Sequence, residues 1–238
     1  MKTLSACTIV LMLIGCAALP IPSPTPQKII IEVASATDQK VDVEPNHVSR
    51  SMDVHNPEGQ LSNLSFISNN KAFIKIFSGL SVADVTRLWN DFCILENTTN
   101  IREINLFINS PGGDAFSGLA LADEIEYARK KGFIITAYAS GIVASAAVPV
   151  LAVCSKRIIA EGCILLLHEA AIFKWPGRET ASDIKSQNEL MGLLENRYTS
   201  YLVKYSKLSE AQWKEKQKNT TWFSATQAIE WGLADEIQ

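Results

Sequence analysis

The residues of this chain whose types and spacing could do covalent chemistry are a serine, a histidine and a pair of adjacent glycines. Ser145 lies in Ser140-Gly141-Ile142-Val143-Ala144-Ser145-Ala146-Ala147. A strand ends there, a glycine permits a sharp turn and a helix begins, which predicts Ser145 in the first helical turn. A nucleophile so placed gains from the positive end of the helix dipole. The Ala146 N–H would lack an intrahelical partner and be available to an oxyanion. This is the logic of a strand-turn-helix nucleophile elbow, although the GxSxG pattern is absent. Taken alone, the segment reads more readily as a serine packed among small residues in a buried helix. Asn109-Ser110-Pro111-Gly112-Gly113-Asp114 is a second strand-to-helix turn. Its proline and paired glycines allow φ values that aim a backbone N–H outward. It is equally an ordinary structural turn, and it carries neither phosphate-binding pattern. The base must come from His47, His55 or His168. The first two fall in a linker-like stretch. His168 closes the apolar run Ile164-Leu165-Leu166-Leu167, and strand ends are where α/β sites gather. A lone histidine there is also compatible with a satisfied core residue.

The elements that would position these groups alternate. Strands are expected at Ala72–Phe77, Ile104–Ile108 (a buried type), Phe133–Ala139, Lys156–Ala160 and Cys163–Leu167. Helices are expected from Val82 to about Leu95, with Ser81 as cap, over Ala115–Lys130 ended by Gly132, and over Ala144–Val153. Further helices are expected over about Ala181–Tyr205, from Ser209, and after Ser224, whose partner Gln227 completes a capping box closed by Gly232. Strands alternating with helices predict right-handed βαβ units and a largely parallel sheet. No internal repeat stands out.

The order strand–NSPGG–helix, strand–GxxAS–helix, strand–His resembles the Clp protease proteolytic-subunit family. The ending Ser224-Ala225 through Trp231-Gly232-Leu233-Ala234-Asp235 resembles the family's SAEEAxxYGLxD. The resemblance covers about residues 70–238. It implies the βαβ superhelix shared by Clp proteases and crotonases. It also implies Ser145 as nucleophile, His168 as base, and the amides of Gly113 and Ala146 as the oxyanion hole. One position departs from the pattern. Where the family carries its catalytic Asp, Asn219-Thr220-Thr221-Trp222-Phe223 puts Thr220 by spacing. Either Thr220 or Asn219 would orient His168 by a neutral hydrogen bond, or Asp183, Glu169 or Asp114 would act from another direction. Loss of the orienting carboxylate costs about 10⁴ in kcat in a well-studied triad. In the family, peptides lie along a strand edge and long helices pack subunits into rings, which the helix at 181–205 would serve. Trp175-Pro176-Gly177 falls in the loop before it, where the family has substrate-side residues; an ordinary surface loop is the equal alternative.

Composition sets the context. The chain has 238 residues, 47% apolar and 20% charged, with a formal net charge of −3. No basic field or Lys/Arg cluster points to nucleic acid. Lys2 followed by the apolar run Thr8–Ile14 reads as an export signal, too short to span a bilayer of about 30 Å. Leu13-Ile14-Gly15-Cys16 resembles the bacterial lipobox, with Cys16 as lipidation site; a plain cleaved signal or an uncleaved anchor is the alternative. The expected organisation is a signal over 1–16, a Pro-rich linker over 17–62 beginning with alternating Pro20, Pro22, Pro24 and Pro26, and a catalytic domain over 63–238. Cys93, Cys154 and Cys163 remain after the signal. Cys154 and Cys163 could pair, but three buried apolar thiols is the preferred reading. With no CxxC motif and three scattered His, no metal and no cofactor is expected.

These readings combine into an ATP-independent serine peptidase, lipid-anchored in the bacterial cell envelope. It would act on peptides or unfolded protein as a homo-oligomer, with no ATPase partner, because the envelope lacks an ATP supply. The alternative is a catalytically weak or inactive oligomeric scaffold, motivated by the missing Asp. Acyl-CoA chemistry of the related crotonase fold conflicts with export and with this Ser/His order. A Ser-Lys dyad of the signal-peptide-peptidase kind conflicts with His168 after its strand.

Overall fold

A computed structural model describes residues 64–171 and 178–238. The expected signal and lipobox with Cys16, the expected linker with His47 and His55, and Trp175-Pro176-Gly177 lie outside the described residues. Along the chain run β1 (Leu64–Ser68), β2 (Lys71–Ile76), α1 (Val82–Thr98), β3 (Glu103–Ser110), α2 (Ala115–Lys130), β4 (Ile134–Ala144) and α3 (Ala147–Ala152). There follow β5 (Lys156–Ile159), β6 (Ile164–Leu167), α4 (Ala181–Tyr205), α5 (Glu210–Lys218), β7 (Thr221–Ser224), α6 (Ala225–Trp231) and β8 (Glu236–Ile237). The fold is α/β with a mostly parallel sheet, as expected. The sheet order is β1-β2-β3-β4-β5-β8, with β6 joined to β4 and β7 to β6. Among the described residues only β1·β2 and β6·β7 are antiparallel.

The strands alternate in burial with period two, so one face packs inward. Ala72, Ile74 and Ile76 of β2, Ile104, Leu106 and Ile108 of β3, and Ile135, Ala137 and Ala139 of β4 are all buried. They share one core with Leu88, Phe92 and Leu95 of α1 and Leu121, Ile125 and Ala128 of α2. The other face is only partly buried by the described residues. It carries a ladder of rings across four strands: Phe66 on Phe73 at 4.3 Å, Phe73 on Phe107 at 6.3 Å and Phe107 on Tyr138 at 5.1 Å. The buried type of strand expected at Ile104–Ile108 holds for one of its faces. Phe107 and Asn105, on the other face, are half-buried among the described residues, whereas parallel sheets are usually covered on both faces.

Helix ends follow the sequence. Thr180, Ser209 and Ser224 form reciprocal boxes with Asp183, Gln212 and Gln227, and Asp84 reaches back to the Ser81 N–H at 2.9 Å. Such caps contribute about 1 kcal/mol each. The first half of α4 is exposed, including Ile184, Leu190 and Leu193, and burial begins at Thr199, Tyr201 and Leu202.

β4 differs from its expected span and matters most to the site. It extends five residues past Ala139, and its first half pairs with β5 while its last three residues pair with β6. Between them the register with β3 jumps from Ile108↔Ala139 to Ser110↔Val143. The slack is taken up by a bulge in which Gly141 has φ 64 and Asn109 Oδ1 accepts the Ile142 N–H at 3.2 Å. Bulges of this kind re-aim a strand's end. The helix expected from Ala144 starts only at Ala147.

Candidate active site

Three strand ends converge at the site. β3 delivers the Gly112–Gly113 turn, β4 delivers Ser145, and β6 delivers His168. Ser145 lies before the helix, not in its first turn. It has φ 53, a conformation that few non-glycine residues adopt. Its N–H donates to Leu166 O at 2.8 Å, and its C=O accepts the Val148 N–H at 3.0 Å. A third bond comes from afar: the Tyr198 hydroxyl of α4 donates to the Ser145 carbonyl at 2.9 Å. The left-handed turn re-aims the side chain at the end of β4, where it is half-exposed.

The glycine turn is pressed against this elbow. A Cβ on Gly112, at φ 87, would lie 2.6 Å from Ala144 O, 2.8 Å from Ser145 Cβ and 3.0 Å from the Ala146 nitrogen. Ser110 holds the turn, its Oγ donating to Ser78 O at 2.6 Å and accepting the Gly112 N–H at 3.2 Å. Leu80 N–H donates to Gly112 O, and Asp114 N–H to Leu80 O. Leu80 backbone atoms also fill the space a Gly113 side chain would need. α2 approaches as closely: a Cβ on Gly118 would lie 2.5 Å from Ala146 O. Among the described residues neither the Gly113 nor the Ala146 amide hydrogen has an acceptor. One unspent donor lies in the turn packed against Ser145 and the other on the residue after it, and a developing oxyanion requires donors of this kind.

Register brings His168 to the same end. Ala144 pairs with Leu166 in β4·β6, so Ser145 emerges beside the last residues of β6. His168 follows at once and is half-buried. Its Nδ1 lies 2.5 Å from Glu169 O. A carbonyl oxygen can only accept, so this contact selects the tautomer with hydrogen on Nδ1. Among the described residues nothing then occupies the Nε2 lone pair, which a general base needs. In β6·β7 the pairing Leu167↔Thr221, carried one residue on, sets Thr220 across from His168. Thr220 is exposed and has φ 47, which is strained for a β-branched side chain.

The other candidates for an orienting group go elsewhere. Asn219 caps α5 and lines a cleft with Gln212, Lys216 and Trp231. Asp114 accepts from the Ser117 N–H and hydroxyl at the start of α2. Asp183 accepts from Thr180, and those bonds hold its carboxyl below the usual range. Glu169 contributes its backbone carbonyl. The cysteines are separate thiols, with Cys154 and Cys163 buried and Cys93 half-buried. Burial pushes Cys154 up to about 12 and Cys163 up to about 11, so neither supplies a thiolate nucleophile.

The Ser145 φ, the Tyr198 bond and the Glu169 carbonyl were not visible as sequence signals. Tyr198 has a partial one, since Tyr198, Tyr201, Leu202 and Tyr205 repeat at i, i+3, i+4 and i+7. That stripe marks a core-facing helix edge, and nothing in it says that one phenol reaches Ser145.

Residues 63–238 match the family model described as Clp protease. The chain is 30% identical over 166 residues to ATP-dependent Clp protease proteolytic subunit 2 of Leifsonia xyli subsp. xyli, covering 68% of this chain and 73% of that protein. It is 28% identical over 166 residues to proteolytic subunit 3 of Frankia casuarinae, covering 68% and 75%. Against proteolytic subunit 1 of Corynebacterium jeikeium it is 27% identical over 168 residues, covering 68% and 85%.

Proposed function

The chain belongs to the Clp protease family, and from that membership we propose that it is a serine peptidase acting through Ser145 and His168. The Ser145 Oγ attacks the carbonyl carbon of a peptide bond while His168 Nε2 takes the hydroxyl proton. The Gly113 and Ala146 amides receive the negative charge that forms on the carbonyl oxygen. The tetrahedral adduct collapses as His168 returns the proton to the departing amine. Water, deprotonated by the same ring, then releases the acyl group and restores Ser145. The observation that carries this reading is the strained Ser145 turn, set between two unspent amides and the end of the strand that leads into His168.

The third position is degenerate in this reading. The Glu169 carbonyl fixes the tautomer, and among the described residues no carboxylate is hydrogen-bonded to His168 to stabilise the imidazolium that forms during attack. Turnover is therefore slow compared with a complete triad. The signal-like run Thr8–Ile14 and the lipobox-like Leu13-Ile14-Gly15-Cys16 support a peptidase of the cell envelope, tethered through Cys16, working on short or unfolded chains without ATP. The exposed half of α4 supports a homo-oligomer. Among the described residues no helix is long and apolar enough to cross a membrane.

The deciding experiment treats the full chain with a serine-reactive phosphonate and reads the modified residue by mass spectrometry. Labelling at Ser145 that disappears in His168→Ala supports the peptidase. Absence of labelling, in a folded protein that still self-associates, selects the second reading, an inactive scaffold. Thr220 in place of an acid is the observation that favours that second reading.

A further inference from the structure

We propose that Tyr198 is a positioning residue for the nucleophile, acting through the Ser145 main chain and not through substrate. This inference rests on the peptidase reading of Ser145. Ser145 occupies a left-handed conformation that persists only where surrounding contacts over-determine it. Three hydrogen bonds do so. Two are main-chain bonds from the immediate neighbourhood, the Ser145 N–H to Leu166 O and the Val148 N–H to Ser145 O. The third, at 2.9 Å, comes from a side chain 53 residues away and is the one a substitution can remove cleanly.

The phenol is well placed for this task. A carbonyl accepts only, so Tyr198 must donate, and it can donate only while protonated. It is partly buried and packed against the core, and burial pushes its pKa up. The bond therefore persists across any working pH. α4 itself is anchored to α2 on either side of this contact. Arg197 and Tyr201 both bond Asp123, while Lys204 and Tyr205 reach Glu126 at 2.7 and 2.6 Å. α2 in turn begins at the glycine turn and presses Gly118 against Ala146. Tyr198 is thus held by the same framework that holds the two amides, and it fixes the carbonyl side of the Ser145 residue relative to them. Displacement of about 1 Å in a reacting group is enough to lose roughly a hundredfold in rate. Loss of one of three restraints is expected to cost less.

The test uses the full chain with Tyr198→Phe, which deletes one oxygen. It compares phosphonate labelling rate at Ser145, kcat and KM on a fluorogenic peptide, and thermal unfolding. The expected result is a labelling rate and kcat roughly tenfold lower, with KM within about twofold of the parent. Replacing Tyr198 by 4-aminophenylalanine restores a donor at the same reach and is expected to return the rate to within about threefold. A parent protein that does not label at Ser145 overturns the peptidase reading and this inference with it. A parent that labels, with a Tyr198→Phe protein that labels and turns over equally fast, overturns this inference alone, whatever its thermal shift. If Tyr198→Phe does not fold, the 4-aminophenylalanine protein decides: near-parental kcat supports the inference, and a folded but slow protein refutes it.

Discussion

Thr220→Asp should make the enzyme faster, and the size of the gain distinguishes two jobs of the missing acid. The β6·β7 register puts residue 220 across from His168. A carboxylate there would face the imidazolium that forms when Ser145 loses its proton. Two opposite charges about 4 Å apart at an effective dielectric constant of 20 attract by about 4 kcal/mol. Thr220 is exposed, so solvent and salt reduce this to about 1 kcal/mol. That is roughly fivefold in kcat. The gain stays far below the 10⁴ that separates a triad from its Asn variant, because the Glu169 carbonyl already selects the reactive tautomer. The backbone changes little: Asp accepts left-handed φ values better than Thr does, relieving about 1 kcal/mol of strain. The carboxylate also lies just past the negative end of α5, which offsets part of that relief. Tm is therefore expected to move by no more than about 3 °C. The assay is kcat and KM on a fluorogenic peptide from pH 6 to 9, beside a melting curve. The rate should rise, and the acid limb of the profile should shift to higher pH, because the new charge stabilises protonated His168. A folded Thr220→Asp protein with kcat within threefold of the parent, and an unmoved acid limb, would refute the assignment of position 220.

Ser145→Ala and His168→Ala should each lower kcat by at least about a thousandfold, and the double substitution should cost little more than either alone, since the two act as a unit. Gly112→Ala should destabilise by about 2–3 kcal/mol in urea unfolding and abolish phosphonate labelling, because its Cβ would meet Ala144 O at 2.6 Å. Gly132→Ala, with open space around it and only its φ of 91 against it, should cost about 1 kcal/mol and leave activity intact. Asp235 pairs with Arg157 at 2.6 Å. Burial opposes ionisation there, but the Arg157 hydrogen bonds and charge win and hold the carboxyl below its usual range. A depressed carboxyl contributes stability above its unfolded pKa near 3.8 and loses it as pH falls through the folded value. The stability difference between the parent and Asp235→Asn, read from urea midpoints, should therefore be full at pH 6 and vanish towards pH 2. Cys16→Ser should move the protein from the membrane to the soluble fraction of the envelope; unchanged partitioning would sink the lipid tether.

The sequence carried the larger elements well where punctuation was strong. α2 spans Ala115–Lys130 as its Gly132 stop implies, and α6 follows its Ser224/Gln227 box. Weak punctuation hid the rest. β4 runs past its expected end because Ser140-Gly141 looks like a strand terminus, whereas the chain spends those residues in a bulge and goes on pairing with a different neighbour. Small apolar residues such as Ala144, Ala146 and Ala147 suit a buried helix and a buried strand equally, so periodicity could not place the boundary. β8 is two residues long and sends no periodic signal. Ser145, His168 and the glycine turn were legible as candidates because their order along the chain is distinctive. Their conformations were not, since a positive φ at Ser145 or Thr220 is imposed by distant packing and not by local propensity.

The floor of this site is main chain pressed on main chain. Gly112 abuts Ala144 and Ser145, Gly118 abuts Ala146, and Gly113 abuts Leu80. No library of substitutions can retune catalysis from that side without prising the scaffold apart. The flank formed by residues 219–222 is different, for there Asn219, Thr220 and Trp222 stand in water. Laboratory selection for faster or more choosy variants should therefore yield its winners almost wholly along that short stretch.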